Sequence, residues 1–219
     1  MTEDAPDRCR LYLITPPIVE DAKGFADAFE SVLDAGDVAC LQVRLKSADG
    51  VAAPDDHVLA VAAACHGVTA PREIPLLIND RPDLAQQAGA EGVHIGQGDA
   101  PYAEARALLG EDAVIGVTCH ASRHLAMVAG EAGADYVAFG AFFPTATKTP
   151  SAAATPEILT WWSELFVVPS VAIGGVTAEN CGELSNAGAD FVAVSSGVWT
   201  HPDGPAAGVE QINAALQAI

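Results

Sequence analysis

Three polar side chains, Gln42, Arg44 and Lys46, alternate with Leu41, Val43 and Leu45 in the run LQVRLK. At a strand rise of about 3.3 Å per residue they share one face over roughly 13 Å. Two carboxylates also stand where apolar runs end, Asp80 in PLLIND and Asp99 in GVHIGQGD. Lys148 lies in the Pro/Thr loop that follows the apolar run YVAFGAFF. The chain has only three lysines, Lys23, Lys46 and Lys148, so two of them at the ends of apolar runs form a pattern. Cations with a pair of carboxylates suit a phosphorylated ligand. Guanidinium and ammonium groups neutralise phosphate oxygens, while carboxylate oxygens hold a divalent cation whose other ligands are water and phosphate.

Other readings of these residues stay open. Asp80 precedes Arg81-Pro82 and Asp99 precedes Ala100-Pro101, so each aspartate is also placed to cap a helix. His94, inside GVHIG, has no second His or Cys at metal spacing and reads as a satisfied core histidine. His120, just past a fifth apolar run, is better placed but ambiguous. Beyond Lys148 there is no Lys or Arg at all, so a phosphate bound there must be held by backbone N–H groups. Gly174-Gly175 and Ser195-Ser196-Gly197, each after an apolar run, are the candidates for that second anion site. The competing reading of those glycines is a tight turn or close packing.

These residues need a scaffold that gathers the ends of many strands. Eight short β-rich runs supply it: RLYLIT, VACLQVRL, PLLIND, GVHIG, AVIGVT, YVAFGAFF, SVAIGG and FVAVSS. Between the first two, Phe25, Phe29, Val32 and Leu33 fall at the spacing of a helical stripe, with Gly36 as a stop signal. Residues 101–109, 121–132, 177–187 and 205–218 read as later helices. Strand and helix alternating eight times, with right-handed crossovers, predict an α/β single-domain (βα)8 TIM barrel over residues 10–219, after a flexible N-terminal tail at 1–9. A doubly wound open sheet is the alternative, but no G-x-G-x-x-G follows the first strand. In such a barrel all the polar residues above collect on the rim at the C-terminal ends of the strands.

Composition bounds the partners. A chain of 219 residues that is 50% hydrophobic buries one large core. A formal charge of −19 argues against nucleic acid and membrane surfaces, which need the opposite field. Cys9, Cys40, Cys65, Cys119 and Cys181 are scattered without C-x-x-C spacing and read as buried thiols of a reducing compartment. The acidic start MTEDAPDR has no apolar segment of the kind a secretory signal carries, and a cytoplasmic location is expected. Partners are expected to be small molecules, and a homo-oligomer is compatible with the sequence.

The set Q-x-R-x-K at Gln42–Lys46, I-N-D-R at Ile78–Arg81, V-H-I-G-Q-x-D at Val93–Asp99, F-P-T-x-T-K at Phe143–Lys148 and A-I-G-G at Ala172–Gly175 closely resembles the thiamine-phosphate synthase family, also called thiamine-phosphate pyrophosphorylase. The motifs occur in order and span nearly the whole chain; A-I-G-G alone is shared by many phosphate-binding barrels. The resemblance implies a transferase that joins hydroxymethylpyrimidine diphosphate to a thiazole phosphate, forming thiamine phosphate and releasing pyrophosphate. It implies that Gln42, Arg44, Lys46, Asn79 and Lys148 hold the pyrimidine diphosphate, with Thr118 where the family usually has serine. Asp80 and Asp99 would bind Mg2+. Thr145, Ala146, Thr147, Gly174, Val194 and Ser195 would meet the thiazole phosphate. Arg44, Lys46 and Lys148 are expected to stabilise the leaving pyrophosphate. The alternatives are a related thiazole tautomerase, which could use His120 for proton transfer, and a non-catalytic thiamine-phosphate-binding barrel. The first needs neither Q-x-R-x-K nor two metal aspartates, and the second is expected to lose part of the diphosphate clamp.

Overall fold

In the computed structural model, which describes residues 9–144 and 153–218, eight parallel strands close into a barrel in chain order. The strands are β1 (Arg10–Ile14), β2 (Cys40–Val43), β3 (Leu76–Asn79), β4 (Gly92–Ile95), β5 (Val114–His120), β6 (Tyr136–Gly140), β7 (Ser170–Ile173) and β8 (Phe191–Val194). Each pairs in parallel with the next, and β8 returns to β1 through Leu11↔Val192 and Tyr12↔Ala193. This is the expected (βα)8 barrel. The surrounding helices are α1 (Ala22–Leu33), α2 (Asp55–Thr69), α3 (Pro82–Ala88), α4 (Tyr102–Leu109), α5 (Arg123–Ala132), α6 (Glu157–Leu165), α7 (Cys181–Asn186), the short α8 (Ser196–Trp199) and α9 (Pro205–Gln217).

Alternation along each strand divides the apolar residues into two cores. Leu11, Leu13, Leu41, Ile78, Val93, Ile115, Val137, Phe139 and Val192 point outward and pack under the helices. Tyr12, Ile14, Cys40, Leu77, Tyr136, Ala138, Val171 and Ala193 fill the barrel interior. The outer core is anchored at α6 by Trp162, which is fully buried, stacks on Phe166 at 4.1 Å and donates its Nε1–H to the Val168 carbonyl. The α1 stripe behaves as its spacing predicts: Phe29, Val32 and Leu33 are buried, and Phe25 stacks on Phe29 and leans on Trp199. The helix ends at Asp34 rather than on a left-handed Gly36; a Cβ on Gly36 would instead meet the Asn213 side chain of α9. Helices α2, α3 and α6 were not delimited by the sequence patterns. The Ala-rich α2 has little contrast between its faces, and α3 is only seven residues long.

All five cysteines are buried and free, as their scatter predicts. Burial pushes the thiols of Cys9, Cys65 and Cys119 up to about 12, so they stay protonated and unreactive. Of the expected tail, residues 1–8 lie outside the described residues, and Cys9 packs into the outer core. Among the described residues no helix is long and apolar enough to cross a membrane.

Candidate active site

Barrel closure brings the C-terminal ends of β2, β3 and β4 side by side, and the predicted polar residues meet there. β2 stops at Val43, so Gln42 points into the barrel while Arg44 and Lys46 stand in the loop just beyond it. Val43 and Leu45 still pack outward, which keeps the alternation of LQVRLK intact past the strand end. Arg44 is fixed at its backbone, whose N–H donates to the Thr15 hydroxyl at 2.9 Å, and by its Nη1, which donates to the Lys46 carbonyl at 3.1 Å. Burial pulls the Arg44 guanidinium down from its usual range, opposed by the nearby Asp80 carboxylate. Lys46 Nζ pairs with Asp80 Oδ2 at 2.7 Å, both groups half-buried.

Asp80 sits at φ 64°, a left-handed backbone that asparagine and aspartate tolerate better than most residues, and its N–H donates to the His94 carbonyl at 2.8 Å. Asp99 turns back over the β4 loop, its Oδ2 accepting from Gly96 N–H at 2.7 Å. The two carboxylates come within hydrogen-bonding reach of each other. Burial first, and more weakly the Asp80 charge, push the Asp99 carboxyl above its usual range against the pull of Gly96 N–H. Neither aspartate caps a helix: the cap positions of α3 and α4 belong to Arg81 and Pro101. Arg81 faces away, paired with Asp55 and Asp83, and ties α2 to α3. Among the described residues no group of three or more His, Cys, Asp or Glu side chains is placed to hold a metal. Two adjoining carboxylates and a neighbouring lysine fit Mg2+, which keeps much of its shell for water and phosphate oxygens, and do not fit a zinc cage.

The barrel interior holds an arrangement that the residue patterns did not reveal. Thr118 Oγ1 lies 2.7 Å from His94 Nε2, and His94 Nδ1 lies 2.8 Å from the Tyr136 hydroxyl. Tyr136 reaches the Tyr12 hydroxyl at 2.8 Å, Tyr12 donates to Gln42 Oε1 at 3.1 Å, and Gln42 Nε2 donates to Asn79 Oδ1 at 2.6 Å. Register explains the assembly: Asn79 sits beside His94, His94 beside Gly116 and Gly116 beside Tyr136. His94 is thus the satisfied histidine its setting suggests, and burial lowers it to about 4, so its ring is neutral. Gly116 is what admits the Tyr136 ring, which occupies the space its side chain would take. Gly116→Ala is therefore expected to destabilise the barrel by about 1–3 kcal/mol through overpacking, read as a lower denaturant midpoint at unchanged slope.

The predicted second anion site lies across the rim. Gly174 and Gly175 follow β7 at φ 105° and 67°, and Phe143 N–H donates to the Gly174 carbonyl at 3.0 Å. The competing reading of this pair holds in both its forms: the turn requires glycine, and Ala141 and Phe143 press against it. Val194 ends β8, and Ser195 leads into α8 with its hydroxyl donating to the Thr15 carbonyl at 3.0 Å. Thr15, almost fully buried, therefore ties the β8 rim to Arg44 and is a positioning residue without a motif of its own. Gln97, within V-H-I-G-Q-x-D but given no role by the sequence, donates to the Thr118 carbonyl at 2.6 Å. His120 is the last residue of β5, at φ 53°, rather than beyond the strand. Thr145, Ala146, Thr147 and Lys148 lie outside the described residues.

Known proteins share this organisation. Residues 11–198 match the family described as thiamine monophosphate synthase. A thiamine-phosphate synthase of Rhodospirillum centenum is 57% identical over 209 residues, covering 95% of this chain and 98% of that protein. One from Hyphomonas neptunium is 50% identical over 221 residues, covering both chains completely. The solved thiamine phosphate pyrophosphorylase of Pyrococcus furiosus superposes with a TM-score of 0.81 at 26% identity, covering 97% of each chain. A match that runs from β1 to α8, with whole-length relatives at half identity or more, means that the chain belongs to the thiamine monophosphate synthase family.

Proposed function

We propose that this protein joins hydroxymethylpyrimidine diphosphate to a thiazole phosphate, forming thiamine phosphate and pyrophosphate. The observation that carries the reading is the rim of Arg44, Lys46, Asp80 and Asp99, a cation and carboxylate cluster in a chain of formal charge −19. An acidic protein attracts a polyanion only by concentrating its cations where the polyanion sits.

In the reaction the bond between the pyrimidine methylene and the diphosphate oxygen breaks, and pyrophosphate leaves with the electron pair. The cationic methylene then accepts the lone pair of the thiazole nitrogen, forming the new C–N bond. The chain's task is to stabilise the leaving anion and exclude water until the nitrogen arrives. Arg44, Lys46 and Lys148 are the groups for the leaving charge, and Gln42 and Asn79 orient the pyrimidine part. Asp80 and Asp99 would hold Mg2+, which would neutralise charge on the diphosphate oxygens. Thr145, Ala146, Thr147, Gly174, Val194 and Ser195 would receive the thiazole phosphate. Phosphorylated substrates and five unpaired thiols are consistent with work in the cytoplasm.

The test is product formation from both substrates and Mg2+, followed by oxidation of the product to fluorescent thiochrome, with an EDTA control. EDTA-sensitive product is expected. Folded protein that makes none overturns the reading and directs attention to tautomerase activity on a thiazole phosphate.

A further inference from the structure

The buried polar chain has a direction, and the direction has consequences. Five hydrogen bonds link Thr118, His94, Tyr136, Tyr12, Gln42 and Asn79 in a line. Each interior member has one proton to give and one acceptor to offer within the line. Tyr12 and Tyr136 are buried, and desolvation holds both phenols well above their usual range, so they stay protonated. The His94 ring is neutral for the reason given above. Fixing one donor therefore fixes all the others. Because Gln42 Oε1 faces Tyr12, Tyr12 donates to Gln42, Tyr136 donates to Tyr12, and His94 must donate from Nδ1 to Tyr136. His94 Nε2 is then bare and accepts the Thr118 proton. At the far end Asn79 Oδ1 is occupied, leaving its amide nitrogen as the outward group.

A phosphate oxygen at Thr118 is incompatible with this polarity. It is an acceptor, and so is the oxygen of a hydroxyl whose proton already points to His94. We propose that Tyr12, Tyr136 and His94 form a polarity relay: an anion accepting from Thr118 reverses all five bonds, moves the His94 proton from Nδ1 to Nε2, and turns the amides of Gln42 and Asn79. The proton count of the line is unchanged. The imidazole releases one proton to water and takes one at Nε2, while the hydroxyls and amides rotate. After reversal Gln42 donates to Tyr12, Gln42 Oε1 accepts from Asn79, and Asn79 presents its oxygen instead of its nitrogen. Binding of an acceptor at the β5 rim thus prepares the β2–β3 rim for a donor, and a substrate that carries both is favoured over either half. Tyr12, Tyr136 and His94 act through Thr118, Gln42 and Asn79 and are positioning residues. The relay rests on the proposed diphosphate site at Thr118.

The experiment is nitrogen NMR of the protein labelled in histidine ring and glutamine side-chain nitrogens. His94 is picked out among the six histidines by its loss in His94→Gln. Inorganic pyrophosphate with Mg2+ is the probe. Without it Nε2 is expected at the position of a bare nitrogen and Nδ1 at that of a protonated one. With it the two exchange identities, and the Gln42 amide signal shifts. In Tyr12→Phe, where the Tyr136 hydroxyl keeps only His94 Nδ1 as an acceptor in the line, Nε2 is protonated with or without pyrophosphate and the Gln42 shift is lost. In Tyr136→Phe, where Nδ1–H has no acceptor, Nε2 is protonated with or without pyrophosphate. A single His94 tautomer throughout, in protein that binds pyrophosphate and makes thiamine phosphate, overturns the relay and leaves the function standing. Protein that neither binds pyrophosphate nor makes product overturns both.

Discussion

Arg44→Ala lowers turnover by about 10²- to 10³-fold and leaves the barrel folded. Arg44 does little for stability. Among the described residues its side chain makes one hydrogen bond, Nη1 to the Lys46 carbonyl, while its backbone contact to Thr15 survives truncation. Burial already disfavours its charge, so a structural role would be better served by an apolar residue. In the proposed function the guanidinium faces the charge of the substrate's diphosphate. That charge grows as pyrophosphate departs, and a fixed donor aimed at developing charge is commonly worth this factor in rate. Arg44→Lys is expected to recover only part of the loss, since an ammonium cannot reproduce the guanidinium fork. Steady-state kinetics with both substrates, beside a thermal melt, check the prediction; near-normal turnover in Arg44→Ala removes it from the diphosphate clamp. Lys148→Ala is expected to behave alike.

Asp99→Asn carries the second large effect, a loss of about 10²-fold or more in turnover together with loss of Mg2+ binding. Asparagine keeps the shape and can still accept from Gly96 N–H, so the loop is preserved. What disappears is one of two adjoining carboxylates, whose mutual repulsion Lys46 offsets only in part and a bound divalent cation would offset further. A bound metal supplies several kcal/mol of charge stabilisation in such displacements, which is the size of the expected loss. Titration with Mn2+, followed by the signal of the free ion, separates this from a structural defect: the native protein depletes the free ion and Asp99→Asn does not. Unchanged metal binding and rate would make Asp99 only a brace for the β4 loop. Asp80→Asn is expected to weaken metal binding too, and to release Lys46 from its 2.7 Å ion pair.

The fold and the rim were legible because both follow from local periodicity. Alternation in LQVRLK set Gln42 apart from Leu41 and Val43, and repeated strand and helix patterns imply a barrel whose strand ends collect on one rim. Strand limits were less legible. YVAFGAFF reads as one run, yet β6 ends at Gly140, and Phe142 and Phe143 leave the wall to pack along the end of β7. Hydrophobicity marks what is buried, and a loop pressed against a strand end is buried as well. Whether Asp80 and Asp99 cap helices was equally out of reach, because it turned on which residue opens α3 and α4.

The sequence alone determined the parallel barrel, the inert cysteines and the cations and carboxylates of the rim, since each depends on residue type and on neighbours a few positions away. Only the tertiary structure decided the line from Thr118 to Asn79. Tyr12 and Tyr136 are 124 positions apart, and each reads within its own strand as an ordinary core aromatic. Their hydroxyls acquire partners only when eight strands close, because closure gathers residues of six strands, β1 to β6, in an interior where a polar group left unpaired is costly.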